Sequence, residues 1–243
     1  MKNLFYLLLG LPSSGRREIL LDLATDTKAL ILLPENEPSH PLDSELAKIS
    51  STCLKRWRWK DHDFDFGLAH PSGADIFFLV TDGMLNPIDQ IEATKQFLQR
   101  NELTLGRILT VAHCGLAATH PELEAWHQAC IHFSDVVLLN HREKVTQKWL
   151  KEFQNGFRRE YLPCLIEYVK KGRVGNPAHI LDPTPRRLSL YFDEVDEPFL
   201  LEENDDYDDL EEDPYLAKYP SGKRCKPIAD PKVILSAADA GLT

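Results

Sequence analysis

Five short runs of apolar residues, separated by stretches with helical spacing, constrain the fold of this chain more than any other feature. The runs are Leu4–Leu9, Ala29–Leu33, Ile76–Val80, Ile108–Ala112 and Val136–Leu139. Runs of this length, bounded by turn-forming residues, are typical of strands buried on both faces of a parallel sheet. Pro87 and Pro121 suit the first turns of intervening helices. The pattern predicts an α/β fold with a mostly parallel sheet, helices on both faces, and ligands at the carboxyl ends of the strands.

The chain changes character after residue 181. Residues 1–181 carry the alternating pattern, and we predict one domain there whose sheet ends near Ala178–Leu181. Residues 182–243 are rich in proline and acids and are predicted to form a largely irregular extension. Within it, Asp193–Asp213 holds 13 of the 38 acidic residues and no Lys or Arg, which favours a solvated tail. Apolar residues among these carboxylates also make the segment a candidate for binding a basic groove on a protein partner or on its own domain.

Cysteine usage and hydropathy limit the class of protein. The five cysteines are odd in number and contain no C-x-x-C pair, which argues against a disulfide framework or a zinc ribbon. The apolar run Leu4–Leu9 is short for a signal peptide, and no later run reaches the length of a membrane span. We therefore predict a cytoplasmic protein that does not bind a membrane.

The loop after the first predicted strand is the strongest functional signal. Its glycines, Gly10 and Gly15, have the spacing of the phosphate-binding motif G-x-x-x-x-G-K-S/T. Backbone N–H groups of such a turn and of the following helix converge on an anion. Arg16 stands where the motif has Lys, and Arg17 stands where a Ser or Thr hydroxyl would hold Mg²⁺. The predicted phosphate-binding residues are Gly10, Ser13, Ser14, Gly15, Arg16 and Arg17. The alternative is an ordinary strand–turn–helix with two surface arginines.

The order of motifs over about residues 4–181 resembles the CobW-type GTPases, which are P-loop proteins linked to cobalamin synthesis and metal delivery. The second predicted strand leads to an Asn36-Glu37 pair, and the third leads to Thr81 and Gly83, as in that family. The stretch Asn176–Ile180 resembles the family's Asn-Pro-x-Ala-x-Ile motif. The resemblance implies a P-loop NTPase-like domain that binds GTP or another nucleotide.

The family reads guanine with an Asn-Lys-x-Asp motif, and this chain retains it in part. Asn140 matches the Asn, His141 replaces the Lys, and Glu143 replaces the Asp. The resemblance therefore implies nucleotide contacts by Asn140 and Glu143. The longer Glu143 side chain shifts the geometry of any guanine contact.

The groups that handle metal in the family are largely replaced. An Arg at position 17 cannot ligate Mg²⁺, and the family's carboxylate after the third strand corresponds to Val80, with Asp82 the nearest acid. Glu37 and Asp82 are the candidate Mg²⁺-associated residues of a divergent enzyme. Cys53 alone remains of a Cys-x-Cys-Cys motif, so we predict no transition-metal site. The family's C-terminal domain is missing or replaced.

Two further clusters invite simpler interpretations. His and Cys residues are dense between His113 and His141, yet their spacing favours ordinary core and cap positions over metal ligands. Lys55–Lys60 interleaves cations with two indoles, which suits nucleic acid, a docking surface for the acidic segment, or an amphipathic edge strand. The acids at Asp61, Asp63 and Asp65 argue against nucleic acid.

These observations lead to one functional hypothesis and two alternatives. The chain is predicted to be a degenerate CobW-like, GTP-type nucleotide-binding protein with weak or absent hydrolysis and a regulatory or partner-binding role. The first alternative is an active, divergent GTPase or NTPase that uses Glu37 or Asp82 around Mg²⁺. The second is a non-enzymatic scaffold with an empty nucleotide pocket.

Overall fold

The computed structural model of the chain describes residues 3–25, 27–49, 52–67, 74–159, 162–193 and 213–240. Most of the acidic segment, residues 194–212, lies outside the described residues. Within the described ranges, no helix is long and apolar enough to cross a membrane.

One eight-stranded sheet forms the centre of the molecule, in the order β4-β3-β2-β5-β1-β6-β7-β8. The strands are β1 Leu4–Gly10, β2 Ala29–Pro34, β3 Cys53–Lys60, β4 Asp63–Asp65, β5 Ile76–Val80, β6 Thr104–His113, β7 Val136–Asn140 and β8 Leu165–Tyr168. Every pairing is parallel except that of β3 with β4. All five predicted strands and the predicted α/β, mostly parallel fold class are confirmed.

Helices connect the parallel strands, as such connections require. They are α1 Arg16–Leu23, α2 Pro41–Leu46, α3 Pro87–Arg100, α4 Cys114–Thr119, α5 Glu124–His132 and α6 Gln147–Arg159, whereas α7 Pro177–Ile180 and α8 Pro231–Ala240 follow β8. Pro87 begins α3 as predicted. The preceding residue, Asn86, caps the helix, because its side chain accepts a hydrogen bond from Ile88 N at 2.9 Å. Pro121 begins a short 3-10 helix before α5.

The sheet is covered on both faces. This is seen in its central strand, whose alternate residues belong to two different hydrophobic clusters. In β1, Phe5 and Leu7 pack with residues of α3 and α5, whereas Tyr6 and Leu8 pack with residues of α1. The continuous apolar run in β1 follows from this double burial.

The predicted end of the sheet near Ala178–Leu181 is wrong, because the last strand among the described residues is β8. Residues 177–180 form the short helix α7, in which Pro177 occupies the first turn and Asn176 Oδ1 accepts a hydrogen bond from His179 N at 3.2 Å. Leu181 nevertheless lies against the sheet, because its carbonyl accepts a 2.5 Å hydrogen bond from the Tyr6 hydroxyl.

The basic, aromatic stretch Lys55–Lys60 lies in β3, next to the edge strand β4. Trp57 is 1% exposed, and its Nε1 donates to Val80 O at 3.0 Å. Arg56 pairs with Asp43, and Arg58 pairs with Glu35. The Trp57 indole is therefore part of the core and is not exposed for base stacking.

The described parts of the C-terminal extension contact the sheet-covering helices. Tyr215 is buried in the cluster that contains α3 and α5 residues. Asp213 pairs with His132 at 2.8 Å, and Arg224 pairs with Asp89 at 2.5 Å. Residues 213–240 thus lie along one face of the domain and include α8.

Candidate functional site

The predicted phosphate-binding loop follows the central strand at the point where the connections between strands diverge. From β1 the chain passes β5 to reach β2 on one side, and from β5 it passes β1 to reach β6 on the other. In open parallel sheets, connections that diverge in this way leave a crevice at the carboxyl ends of the strands, where ligands bind. The residues between Gly10 and Gly15 are therefore where the topology favours a ligand.

The loop has two left-handed residues just before a helix, a feature of anion-binding turns. Ser13 and Gly15 have φ values of 59° and 92°, and α1 begins at the next residue, Arg16. Left-handed residues next to a helix N-terminus turn successive N–H groups toward one point. The Ser14 hydroxyl is buried and has no hydrogen-bond partner among the described residues, which leaves one more donor in the loop. These groups fit a bound phosphate.

Close packing accounts for the two glycines of the loop and for Gly83 in a neighbouring turn. A Cβ at Gly10 would lie 2.8 Å from Ser14 Oγ, and one at Gly15 would collide with Asn140 Nδ2. Gly83, in the turn after β5, would place a Cβ against the carbonyl oxygen of Gly10 and 2.8 Å from Leu11 Cα. Only glycine fits these positions without displacing the loop.

Asn140 holds the loop directly. Its Nδ2 donates to Ser14 O at 2.9 Å, and the side chain is buried at the end of β7. The adjacent residue His141 has φ 51° and stacks on His113 with ring centroids 4.1 Å apart. Glu143 is exposed, with its Oε1 3.5 Å from His141 Nδ1. The structure thus brings Asn140 to the loop, whereas the nearest recorded partner of Glu143 is His141.

Arg16 is almost fully buried beneath the loop. Its Nη1 donates to Thr81 O at 2.5 Å, and its Nη2 forms an ion pair with Glu37. The two side chains are 3% and 6% exposed. Burial lowers the pKa of Arg16, and the Glu37 carboxylate opposes that shift. The residue that replaces the motif lysine therefore points at a carboxylate of the chain itself.

Arg17 extends this pairing into a chain of alternating charges. Its Nη1 lies 2.8 Å from the second Glu37 oxygen, and its Nε lies 2.6 Å from Asp43. Asp43 in turn pairs with Arg56 of β3 at 2.5 Å. The network joins the loop to α2 and β3. Neither Asp43 nor Arg56 was among the predicted site residues, although Asp43 completes a capping box with His40 that the sequence spacing contains.

The two predicted Mg²⁺-associated carboxylates already have protein partners. Glu37 pairs with both arginines, and Asp82 accepts hydrogen bonds from Met84 N at 2.9 Å and Asn36 Nδ2 at 3.3 Å. Because position 17 offers no hydroxyl, the residues present do not fit a Mg²⁺ ion bound in the usual P-loop manner.

The loop borders a small open cavity of about 220 Å³, which is lined by residues 12–18, 37–40 and His141. Pockets for complete ligands usually have volumes of roughly 300–1,000 Å³. The conformation described here therefore accommodates a phosphate-sized group more readily than a whole nucleotide.

The histidine- and cysteine-rich stretch supplies core and cap residues. Cys130 is fully buried in α5, and burial raises the pKa of its thiol. His113 caps α4 by accepting from Leu116 N at 3.0 Å, and burial lowers its pKa to about 4. Among the described residues, no group of three or more His, Cys, Asp or Glu side chains is placed to hold a metal ion.

Neither a protein-family model nor a curated protein sequence matches this chain. Solved structures do show similarity. The chain is similar to a zinc-bound triple mutant of the YjiA GTPase, with 13% identity, 74% of this chain and 61% of that chain covered, and a TM-score of 0.42. It is also similar to the zinc-bound YjiA GTPase from E. coli, with 13% identity, coverage of 76% and 67%, and a TM-score of 0.42.

A third similar structure is the hydrogenase maturation factor HypB from Archaeoglobus fulgidus, with 8% identity, coverage of 69% and 81%, and a TM-score of 0.45. The sheet order and the loop after β1 define the chain as an α/β protein with a P-loop NTPase-like fold.

Proposed function

We propose that this chain is a GTP-type nucleotide-binding protein with weak or absent hydrolysis. We further propose a regulatory role in which the acidic segment Asp193–Asp213 binds a protein partner with a basic groove. One observation supports the nucleotide proposal: the loop after β1 has left-handed residues directly before α1, and two arginines beside it share a single carboxylate, Glu37.

Phosphate binding is supported by the exchange that this pairing permits. A phosphate oxygen that reaches the loop can replace the Glu37 carboxylate as the partner of Arg16 and Arg17, because guanidinium groups bind carboxylate and phosphate with the same fork geometry. The buried Ser14 hydroxyl, which has no partner in the described part of the chain, and the left-handed Ser13 and Gly15 backbone add donors at the same place.

Weak hydrolysis follows from the absence of ordinary Mg²⁺ ligands in the loop. Phosphoryl transfer depends on a cation that bridges the β- and γ-phosphates and on a positioned water. Arg17 supplies charge without a coordinating oxygen, and Asp82 is held by its own turn. Bound nucleotide would therefore be neutralised by two guanidinium groups and released intact.

A non-enzymatic scaffold is the second candidate, and the Glu37 pairing itself favours it. A carboxylate that satisfies both arginines makes the site complete without a ligand. The two candidates differ in whether phosphate outcompetes Glu37.

The deciding experiment is calorimetric titration of the full chain with GTP, ATP, GDP and ADP, each with and without Mg²⁺, together with a phosphate-release assay. Binding without release supports the proposal, and a preference for guanine nucleotides supports its GTP-type form. Steady release abolished by Asp82→Ala would indicate the divergent enzyme, and no binding at millimolar nucleotide would indicate the scaffold.

A matched pair of variants isolates the loop. Arg17→Ala removes a cation paired with Glu37 and Asp43, whereas Arg58→Ala removes a cation paired with Glu35 on a side chain that is 71% exposed. Both change the net charge equally. We expect loss of nucleotide affinity in Arg17→Ala alone, and equal losses in both variants would indicate a nonspecific charge effect.

A further inference from the structure

A second cavity, separate from the loop, lies between α5 and α6. Its volume is about 420 Å³, and its walls include His127 of α5 and Trp149, Phe153, Gly156 and Phe157 of α6. This volume falls within the usual range for small-molecule sites, roughly 300–1,000 Å³. The nucleotide proposal makes no use of any of these residues.

His127 gives the cavity a defined hydrogen-bonding requirement. The side chain is 2% exposed, and its Nδ1 lies 2.9 Å from Leu123 O. A carbonyl only accepts, so Nδ1 carries the proton and Nε2 of the neutral ring is an acceptor. Burial lowers the pKa of His127 to about 4, which keeps the ring neutral at pH 7. Nε2 is buried and has no partner among the described residues, an arrangement that is destabilising unless a donor arrives.

Aromatic rings of α6 also line the cavity. Trp149 and Phe153 are stacked, with ring centroids 4.8 Å apart and planes 16° apart. Phe153 meets His127 edge-on at 6.2 Å and Phe157 edge-on at 4.8 Å. Trp149 and Phe153 are both only partly buried. The wall therefore offers ring faces to a further ring, which aromatic side chains favour in offset or edge-on contact.

Gly156 lines the cavity and is exposed. It lies inside α6, where glycine is less favourable than alanine, and its φ is not positive. A Cβ there would meet no described atom within 4 Å, so packing does not require the glycine. A larger side chain would instead extend from the helix at the cavity wall.

We propose that this cavity is a binding site for a small, neutral aromatic molecule with a hydrogen-bond donor, of the phenol or indole class. The ring would pack against Trp149 and Phe153 while the donor reaches His127 Nε2. Because Nε2 is buried and Phe153 lies against the His127 ring, binding would include a rotation of Phe153 that gives the donor access to Nε2. Two acids, Glu124 and Glu152, against one base, Arg159, line the cavity and disfavour an anion.

The test uses phenol as the probe and toluene as its donor-free counterpart, with the full chain labelled with ¹⁵N. Histidine ring nitrogens are followed by long-range ¹H–¹⁵N correlation spectra during each titration. We expect saturable binding of phenol that shifts the His127 Nε2 resonance, without competition from nucleotide. In His127→Leu the ratio of phenol to toluene affinity should fall by about 10-fold, the value of one lost hydrogen bond.

Two variants of Gly156 keep the test independent of His127. Gly156→Leu should abolish binding of both probes by filling the cavity, whereas Gly156→Ala should bind as the wild type does and serve as the control for helix propensity. The proposal is overturned if phenol does not bind, if Gly156→Leu binds it normally, or if the affinity ratio is unchanged in a folded His127→Leu.

Discussion

Replacing Glu37 by Gln tests whether the two loop arginines are held by a carboxylate that stands in for phosphate. The variant removes one charge from a pair whose side chains are 3% and 6% exposed. Removing one partner of a buried ion pair costs about 3–5 kcal/mol, because the other charge remains buried. The Gln amide oxygen can still accept one hydrogen bond from Arg16, so we expect a loss of about 2–3 kcal/mol.

The same change should improve anion binding. Arg16 and Arg17 no longer need to be released from a carboxylate, and a bound phosphate would restore their missing charge partner. A ligand at 100 times its Kd stabilises the folded state by about 2.7 kcal/mol, which is enough to offset the loss. The variant is therefore expected to unfold at a Tm lower by roughly 4–12 °C without ligand, given about 2–4 °C per kcal/mol at this size, and to recover most of it with pyrophosphate.

Differential scanning calorimetry with and without pyrophosphate measures both effects. Glu35→Gln is the matched control, because it makes the same charge change in the exposed pair with Arg58 and should alter neither Tm nor anion response appreciably. Two results would refute the reasoning: a Glu37→Gln variant as stable as the wild type, or one that pyrophosphate stabilises no more than it stabilises the wild type and Glu35→Gln.

Three further predictions concern the loop and the core. Asn140→Ala removes the 2.9 Å hydrogen bond to Ser14 O and should lower the free energy of unfolding in urea by about 1–2 kcal/mol. It should also weaken nucleotide binding measured by calorimetry, and unchanged affinity would show that Asn140 does not hold the loop. Gly15→Ala combines φ 92° with a collision at Asn140, so circular dichroism should report a Tm several degrees lower, and a normal Tm would contradict the described packing. His127 has a pKa near 4 in the folded state and an ordinary value near 6.5 when unfolded, so the unfolded chain binds more protons between these values. The contribution of the neutral His127 ring to the free energy of unfolding is therefore present above pH 6.5 and falls by about 2 kcal/mol from pH 7 to pH 5. Urea unfolding at both pH values should show this loss of stability, and the loss should be smaller in His127→Leu.

The strands that are buried on both faces of the sheet could be predicted from the sequence. Strands such as Leu4–Gly10 are apolar throughout because both faces are covered, and that pattern is local and visible. The end of the sheet was not predictable in the same way. The last strand, Leu165–Tyr168, lies at the edge of the sheet, contains a Glu and is only partly buried, so it lacks a continuous apolar run. The segment Ala178–Leu181 has the apolar residues of a strand, but Asn176 and Pro177 before it are a helix-start signal.

The loop was predictable for a different reason, because its backbone conformation requires glycine at particular positions of the sequence. Gly10 and Gly15 identify the turn, and the structure gives them the close contacts that exclude a Cβ. The partners of Arg16 and Arg17 could not be identified from spacing, since Glu37 lies in the turn after β2 and Asp43 lies in α2. Only the sheet order, which places β2 near β1 with β5 between them, brings these side chains together.

Arg17 gives the site a property that a Ser or Thr at the same position would not. Its guanidinium joins Glu37 to Asp43, and Asp43 joins it to Arg56, so one line of charges runs from the loop through α2 to β3. Under the proposed function, a phosphate that displaces Glu37 would also remove a carboxylate partner from Arg17 at the beginning of this line. Because Glu37 cannot pair with both arginines while phosphate occupies them, anion binding and the anchoring of residues 37–43 are thermodynamically linked. Hydrolysis is not required for such linkage, since occupancy alone changes which partner the arginines hold.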